Sequence, residues 1–276
     1  MRADLHLHSH YSDGSEPPAK VIERARAGGL TLIALADHDT MGGWAEARPL
    51  AEQAGLRLLP AAEFTAQFRG REIHLLGYFA APPGQEVLRH LEGMQQFRRR
   101  RLETAMAGLR RLGLRVELEE LPRAPCCQSV TTAHLTRLLT ERGYAPSVQA
   151  ARRRFLSREP GLVPAFEVGA AEVINVIHAD RGLAVWAHPG RKQFRERLEE
   201  LAAFGLDGIE AANGRRGLSV SDGELTLARS MNLVTTGGSD WHGDGPLGEF
   251  AAEEPVLEAF LQRLSRLCHS ASELRH

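Results

Sequence analysis

The chain has 276 residues, 43% hydrophobic and 25% charged, with a formal net charge of −1, which suits one large soluble α/β domain or such a domain with a sizeable insertion. No apolar run nears the roughly 20 residues of a membrane-spanning helix, and charge and histidine stand where a signal peptide would need its apolar stretch. Three cysteines, Cys126, Cys127 and Cys268, two of them adjacent, frame no disulfide scaffold, and the expected location is cytoplasmic.

The chain opens on a short strand, Arg2–His8, whose alternation sets His6 and His8 on one face and aims both imidazoles at one point. Pro17-Pro18-Ala19 starts a helix to Gly28, with Val21, Ile22 and Ala25 at helical spacing. A second strand, Leu30–Asp37, leads into Asp37-His38-Asp39, and a second helix runs from Gly43 to Gly55. Strands three and four, Leu56–Glu63 and Glu72–Phe79, bring Glu63 and His74.

From about Ala81 to Pro164 the rhythm breaks, starting at Pro82-Pro83-Gly84. Phe97, Leu102, Met106, Leu109 and Leu112 trace an amphipathic helix ending near Gly113. Another begins at Thr131 or Thr132 and carries Leu135, Leu138 and Leu139; a third follows Pro146-Ser147, with Val148, Ala151 and Phe155 inward. This predicts a helical insertion over 81–164, acting as a lid or substrate domain, within a body formed by 1–80 and 165–276. The alternation then resumes: helix Glu167–Asp180, strand Leu183–Ala187 ending at His188, helix Gln193–Phe204, strand Asp207–Ala212, helix Ser221–Ser230 and strand Asn232–Thr236, with Asp240 and His242 just beyond. One amphipathic helix closes the chain from Pro255.

Seven strands thus alternate with helices, and nearly every strand finishes at a histidine or an acid. An open sheet would gather ligands at a single crevice, whereas a closed ring collects them from all strands at one mouth. The expected fold is therefore a barrel. Charge is unevenly spread: Gln95–Pro160 holds 14 arginines against 6 acidic residues, about +8, leaving about −9 elsewhere. A basic segment in an acidic body suggests an anionic partner, phosphate or nucleic acid.

Neutral imidazoles and carboxylates without thiolates suit a site for several divalent ions. The runs Asp4-Leu5-His6-Leu7-His8-Ser9, Asp37-His38-Asp39 and Ser239-Asp240-Trp241-His242 resemble the signatures of the PHP (polymerase and histidinol phosphatase) superfamily, and the resemblance spans essentially the whole chain. It implies a distorted seven-stranded β/α barrel holding three divalent ions, with manganese favoured and iron, zinc or magnesium as alternatives. By position, His6, His8, Glu63 and Asp240 would hold the first, Glu63 (bridging), His74 and His188 the second, and Asp13, His38 and His242 the third.

Within the superfamily, the insertion after strand four is similar to that of phosphoesterases acting on nucleoside 3′,5′-bisphosphates and, as 5′→3′ exoribonucleases, on short RNA. His134 in Thr132-Ala133-His134-Leu135 and the pair Arg153-Arg154 match substrate positions of that subgroup. Arg-Pro usually precedes the histidine; Thr131-Thr132-Ala133 stands here, so that arginine's contact is absent or supplied elsewhere. The implied chemistry is attack on phosphorus by a hydroxide bridging the first two ions through Glu63 and Asp240, with Arg153, Arg154 and Arg191 as phosphate clamps. The proton donor is unassigned, His134 being one candidate. The expected substrate is a nucleotide or short RNA, with no obligate protein partner. Histidinol-phosphate phosphatase and a non-catalytic, metal-stabilised nucleic-acid-binding module are the rivals.

Plainer roles compete for the remaining residues. His10 is a neighbour of the site or a surface residue. Asp37 and Glu210 orient imidazoles or merely cap strand ends. His134 lies in phase with Leu135 and Leu138, as a packed core histidine would, and Arg98–Arg101 reads first as a solvated helix face. Cys126-Cys127 is structural.

Overall fold

The computed structural model describes residues 1–156, 162–214 and 218–273; the end of the basic segment, 157–161, and the side chain of Cys268 lie outside the description. The first half alternates as the periodicity predicts: β1 (Arg2–Leu7), α1 (Pro18–Ala27), β2 (Leu32–Leu35), α2 (Gly42–Gln53), then β3 (Arg57–Phe68) and β4 (Arg71–Phe79). Between β3 and β4 there is no helix. Arg69 and Gly70, at φ +48° and +73°, form the two-residue turn whose twist matches antiparallel strands, and Phe68 pairs with Arg71 across it.

Consequently β4 runs antiparallel to both neighbours. The parallel ring expected from the sequence is interrupted here, and His74 enters from the first half of its strand rather than from its end. The reversal is what carries His74 to the mouth, because an antiparallel strand presents its N-terminal half where its parallel neighbours present their C-terminal ends.

After the insertion come α6 (Ala170–Ala179), β5 (Gly182–Trp186), α7 (Phe194–Ala203), β6 (Gly208–Asn213), the two-residue β7 (Leu218–Ser219), α8 (Asp222–Ser230), β8 (Val234–Gly238), the two-residue β9 (Ala252–Glu253) and α9 (Glu254–Glu273). Strands β1 to β6 neighbour one another in chain order, and β8 pairs in parallel with β6. The ring closes where the Asp240 amide donates to the His6 carbonyl and the His8 amide to that of Trp241, both at 2.9 Å. Among the described residues β1 to β6, β8 and the short β9 paired with β1 make a nearly closed barrel of eight strands, one more than the sequence predicts, and β7 is a short addition to β6. Leu5, Ala34, Leu76, Tyr78, Val185 and Val234 pack inside it against Leu257 and Phe260 of α9. No described helix is long and apolar enough to cross a membrane.

The insertion begins with α3 (Gln85–Arg111), whose 27 residues reach about 40 Å. Its two halves serve different cores. Val87 and Leu91 pack with the outer barrel layer. Leu102, Ala105, Met106 and Leu109 join a separate cluster with Leu135, Leu138 and Leu139 of α4 (Thr132–Glu141) and Phe155. A short α5 (Val148–Ala151) passes into a π-helix, Arg152–Leu156.

Candidate metal centre

Simple alternation does not carry β1 to the site. Leu5 packs inside the barrel but Leu7 packs with the outer helices, and the pairing with β2 shifts register between Asp4 and Leu7. Past that irregularity the strand's phase is reversed, and His6 and His8 both reach the mouth. Gly238 on β8 permits the close approach, since a Cβ there would fall 2.2 Å from the Cβ of His6.

Glu63, fully buried on β3, is the hub. Its Oε2 lies 3.2 Å from Nε2 of His6, 3.2 Å from Nε2 of His8 and 3.0 Å from Nδ1 of His38. Its Oε1 lies 2.9 Å from Nδ1 of His74 and 3.1 Å from Nε2 of His188. Asp240 Oδ1 stands 3.3 Å from Nε2 of His8, and Asp13 Oδ1 3.3 Å from Nε2 of His242. All nine side chains singled out in the sequence thus converge at one mouth.

They do not satisfy one another. His6 Nε2, His8 Nε2, His38 Nδ1, Asp13 Oδ1 and Glu63 Oε2 are buried without a hydrogen-bond partner, an arrangement that costs about 1–3 kcal/mol per group when nothing compensates. Cations of +2 charge are the partner that nitrogen and oxygen donors at this spacing fit. Three overlapping groups each have the spacing of a cation site, with His8 and His38 shared between them: His8, Asp13, His38 and His242; His6, His8 and Asp240; His38, Glu63 and His74.

The electrostatics agree. Burial opposes ionisation of Glu63 and Asp13, yet His38, His74 and His6 hold Glu63 well below the ordinary range, and His38 and His242 do the same for Asp13. Among the imidazoles, burial is outweighed at His74, raised to about 10 by Glu63, and at His8, raised to about 9 by Asp240 and Glu63. At His38 burial prevails and pushes it well down. Ligand nitrogens must shed protons to take a cation, so uptake is coupled to proton release.

Surrounding groups fix these side chains. Asp37 does not touch an imidazole; it accepts from Ser9 N, Ser9 Oγ and Ser12 Oγ and so shapes the loop to Asp13. Thr131 Oγ1 donates to Asp13 Oδ2 at 3.0 Å, and Arg137 to the Asp13 carbonyl at 2.8 Å. Asp39, at φ +47°, takes Thr65 N on one oxygen and the buried Arg98 on the other, at 2.9 and 2.6 Å. Glu72 contacts His74 Nε2 and accepts from Arg101. His10 faces Cys126 Sγ, 3.1 Å away, and not the cluster.

Over the cluster lies a cavity of about 470 Å³, bounded on the insertion side by Arg98, Arg101, Thr132, Ala133, Arg137, Val148 and Arg152. The arginines expected there differ. Arg153 and Arg154 are exposed and outside the lining, and Arg154 donates to the Tyr144 carbonyl. Arg191 borders a separate crevice beside His188. Glu72, Arg98, Arg101, Arg137, Arg152 and Thr131 were not singled out as site residues. A signal existed for Arg98: it falls in helical phase with Leu91, Met94, Leu102 and Ala105 on the buried face of α3.

His134 is 1% exposed and accepts the Thr131 amide on Nδ1 at 3.0 Å, within the N-terminal cap of α4. Burial pushes it down to about 4 from the usual 6.5. The folded protein therefore keeps this ring neutral while the unfolded chain takes up a proton, so its stability contribution is intact above pH 6.5 and lost as pH falls toward 4. His134→Gln is expected to remove about 2 kcal/mol of the stability lost between pH 7 and pH 5. Urea midpoints of both proteins at the two pH values check this; parallel losses would contradict it.

The family model described as PHP domain matches residues 4–157. The chain is 35% identical to a phosphoribosyl 1,2-cyclic phosphate 1,2-diphosphodiesterase from Eggerthella lenta, over 88% of this chain and 95% of that protein. It is 31% identical to a 3′,5′-nucleoside bisphosphate phosphatase from Chromobacterium violaceum, over 89% and 88% respectively. A crystal structure from Bifidobacterium adolescentis, named as a candidate metal-dependent phosphoesterase, superposes with a TM-score of 0.82 at 28% identity, covering 95% of this chain and 96% of the other.

Proposed function

The chain belongs to the PHP domain family and is a metal-dependent phosphoesterase; from that premise we propose that it hydrolyses a phosphate ester on a ribose that carries a second phosphate. A nucleoside 3′,5′-bisphosphate is the preferred substrate, and the 5′ end of a short RNA is a second substrate of the same chemistry. The observation that carries this is the cavity's polarity, with the His–carboxylate cluster at its base and Arg101, Arg137 and Arg152 on its insertion wall. The Eggerthella lenta and Chromobacterium violaceum relatives are named for a phosphoribosyl cyclic phosphate and a nucleoside bisphosphate, and an arginine wall facing the cluster suits a molecule with two phosphates.

Three divalent ions fit the donor set: one with His6, His8, Glu63 and Asp240, one with Glu63, His74 and His188, and one with Asp13, His38 and His242. Manganese is the favoured identity, then iron, zinc and magnesium. When bound, such ions make hydroxide available near neutral pH and neutralise phosphoryl charge. The chain's own residues do the rest. Arg101, steadied by Glu72 and by donation to the Pro164 carbonyl, joins Arg137 and Arg152 to grip the second phosphate. Residues 81–164 serve as the substrate domain. His134 is spent on the α4 cap, and Glu72 is held far below the ordinary range by His74 and Arg101 despite its burial, so neither supplies the leaving-group proton. The setting for such a substrate is the cytoplasm.

Among the described lining residues there is no Phe, Tyr or Trp, so the base meets none of the large aromatic platforms that favour one base over another. Adenosine and uridine 3′,5′-bisphosphates are accordingly expected to turn over within roughly threefold of each other, since a lost stack is worth about 1–3 kcal/mol. The deciding assay measures phosphate release with manganese from adenosine 3′,5′-bisphosphate, histidinol phosphate and a short 5′-phosphorylated RNA. Preference for histidinol phosphate would sink the reading. Arg101→Ala with Arg152→Ala is expected to raise KM for the bisphosphate by roughly 10- to 100-fold, as loss of charge-assisted bonds does; an unchanged KM removes the clamp.

A further inference from the structure

Glu210 stands on β6 where pairing with β8 shifts register between Glu210 and Ala212, and it is 2% exposed. It belongs to none of the three ligand groups. One of its oxygens, Oε1, lies 2.8 Å from Nδ1 of His6. The other, Oε2, accepts the backbone N–H of His188 at 2.7 Å and Asn213 Nδ2 at 3.0 Å. Three chain segments, β1, the turn after β5 and β6 itself, thus meet on one carboxylate.

Two consequences follow. An acceptor at Nδ1 of His6 keeps the proton on that nitrogen and leaves Nε2 to face Glu63 Oε2. His188 sits at φ +33°, a conformation that a residue with a side chain rarely holds without external bonding. The bond to its amide helps to hold the turn from which its Nε2 reaches Glu63 Oε1. The two histidines approach Glu63 on opposite oxygens, and Glu210 sets both.

We propose that Glu210 is the positioning residue that couples the two cation positions sharing Glu63, through the three hydrogen bonds its two oxygens accept. The hydrogen-bond inventory gives the reason. His6 Nδ1–H points at one oxygen, and two further donors point at the other. A carboxylate accepts all three, whereas a glutamine of equal size must turn its NH₂ toward a donor in either orientation. The remaining position, formed by Asp13, His38 and His242, makes no contact with Glu210. The inference rests on the three-ion reading above.

The test uses the full chain, loaded with manganese, dialysed and analysed for bound metal by mass spectrometry, with affinities from competition against a chelator. The wild type is expected to retain three ions. Glu210→Gln is expected to retain about one, and to lose roughly 10- to 100-fold in affinity at the other two positions, the range for orienting groups of this kind. Melting of the metal-free proteins should be little changed. Glu210→Asp, which keeps two accepting oxygens, should recover part of the occupancy. Equal stoichiometry and affinity in Glu210→Gln would overturn the proposal. So would uniform weakening of all positions with a lowered melting point of the metal-free variant, which would mark a general structural role. A wild type that binds fewer than three ions would instead refute the three-ion reading, and that outcome is seen before any variant is measured.

Discussion

Glu63→Gln is expected to lower phosphate release by roughly three orders of magnitude or more, about 4 kcal/mol in the barrier. Five imidazoles approach this one carboxylate within 3.2 Å, and under the proposed assignment two of the three cation positions share it. An amide of the same shape cannot offer negative charge to both sets, so bound metal should fall with the rate. Fold should survive, because Glu63 stands at the mouth and the packing beneath it, from Leu5 and Tyr78 to Phe260, is untouched. His6→Ala and Asp240→Ala are expected to behave alike, since each belongs to the set with His8. Circular dichroism, metal content and initial rate measured on the same preparations check the result. Near-normal turnover in any of the three would contradict the mechanism, whatever the metal content.

The second large effect falls outside the cluster. Arg98→Met should destabilise the protein by about 3–5 kcal/mol, the range for breaking one side of a buried ion pair. Arg98 is 4% exposed and donates to Asp39 Oδ2 at 2.6 Å and to Thr65 Oγ1 at 2.5 Å. Asp39, itself fully buried, would then lose its cationic partner. Among the described residues its remaining side-chain bond would be the one accepted from the Thr65 amide, and it adjoins His38. The pair also ties α3 to the barrel at the point where the helix passes from one core to the other. Chemical denaturation reads the loss. The double variant Arg98→Met with Asp39→Leu should recover much of it, because replacing both charges by apolar groups removes the unpaired ion. No recovery would show that the two residues act separately.

Much of this was legible in the linear chain. The set of side chains that meets at the mouth was, because histidine and acidic residues are donors suited to such cations and their recurrence at strand ends set them apart from other histidines such as His90 and His178. The strand–helix rhythm of β1 to β3, β5, β6 and β8 was also readable, since apolar periodicity is a local property. Helix α4 and its capping threonine were likewise visible as a start signal in Thr131-Thr132.

Other features needed the folded molecule. The antiparallel course of β4 turns on a two-residue loop, and the apolar pattern of a strand is the same in either direction. The phase change in β1 between Leu5 and Leu7 arises from a register shift that alternation cannot foresee. Arg152 rather than Arg153 or Arg154 borders the cavity because a π-helical turn sets which of three consecutive arginines points inward, while composition treats them as equal. The bonds from Glu210, Thr131 and Arg98 join residues far apart in sequence. The sequence by itself determined which side chains have the chemistry to hold cations, because that depends on residue type alone. Only the tertiary structure decided which of them meet, because strand direction, register and burial are properties of contacts between distant segments.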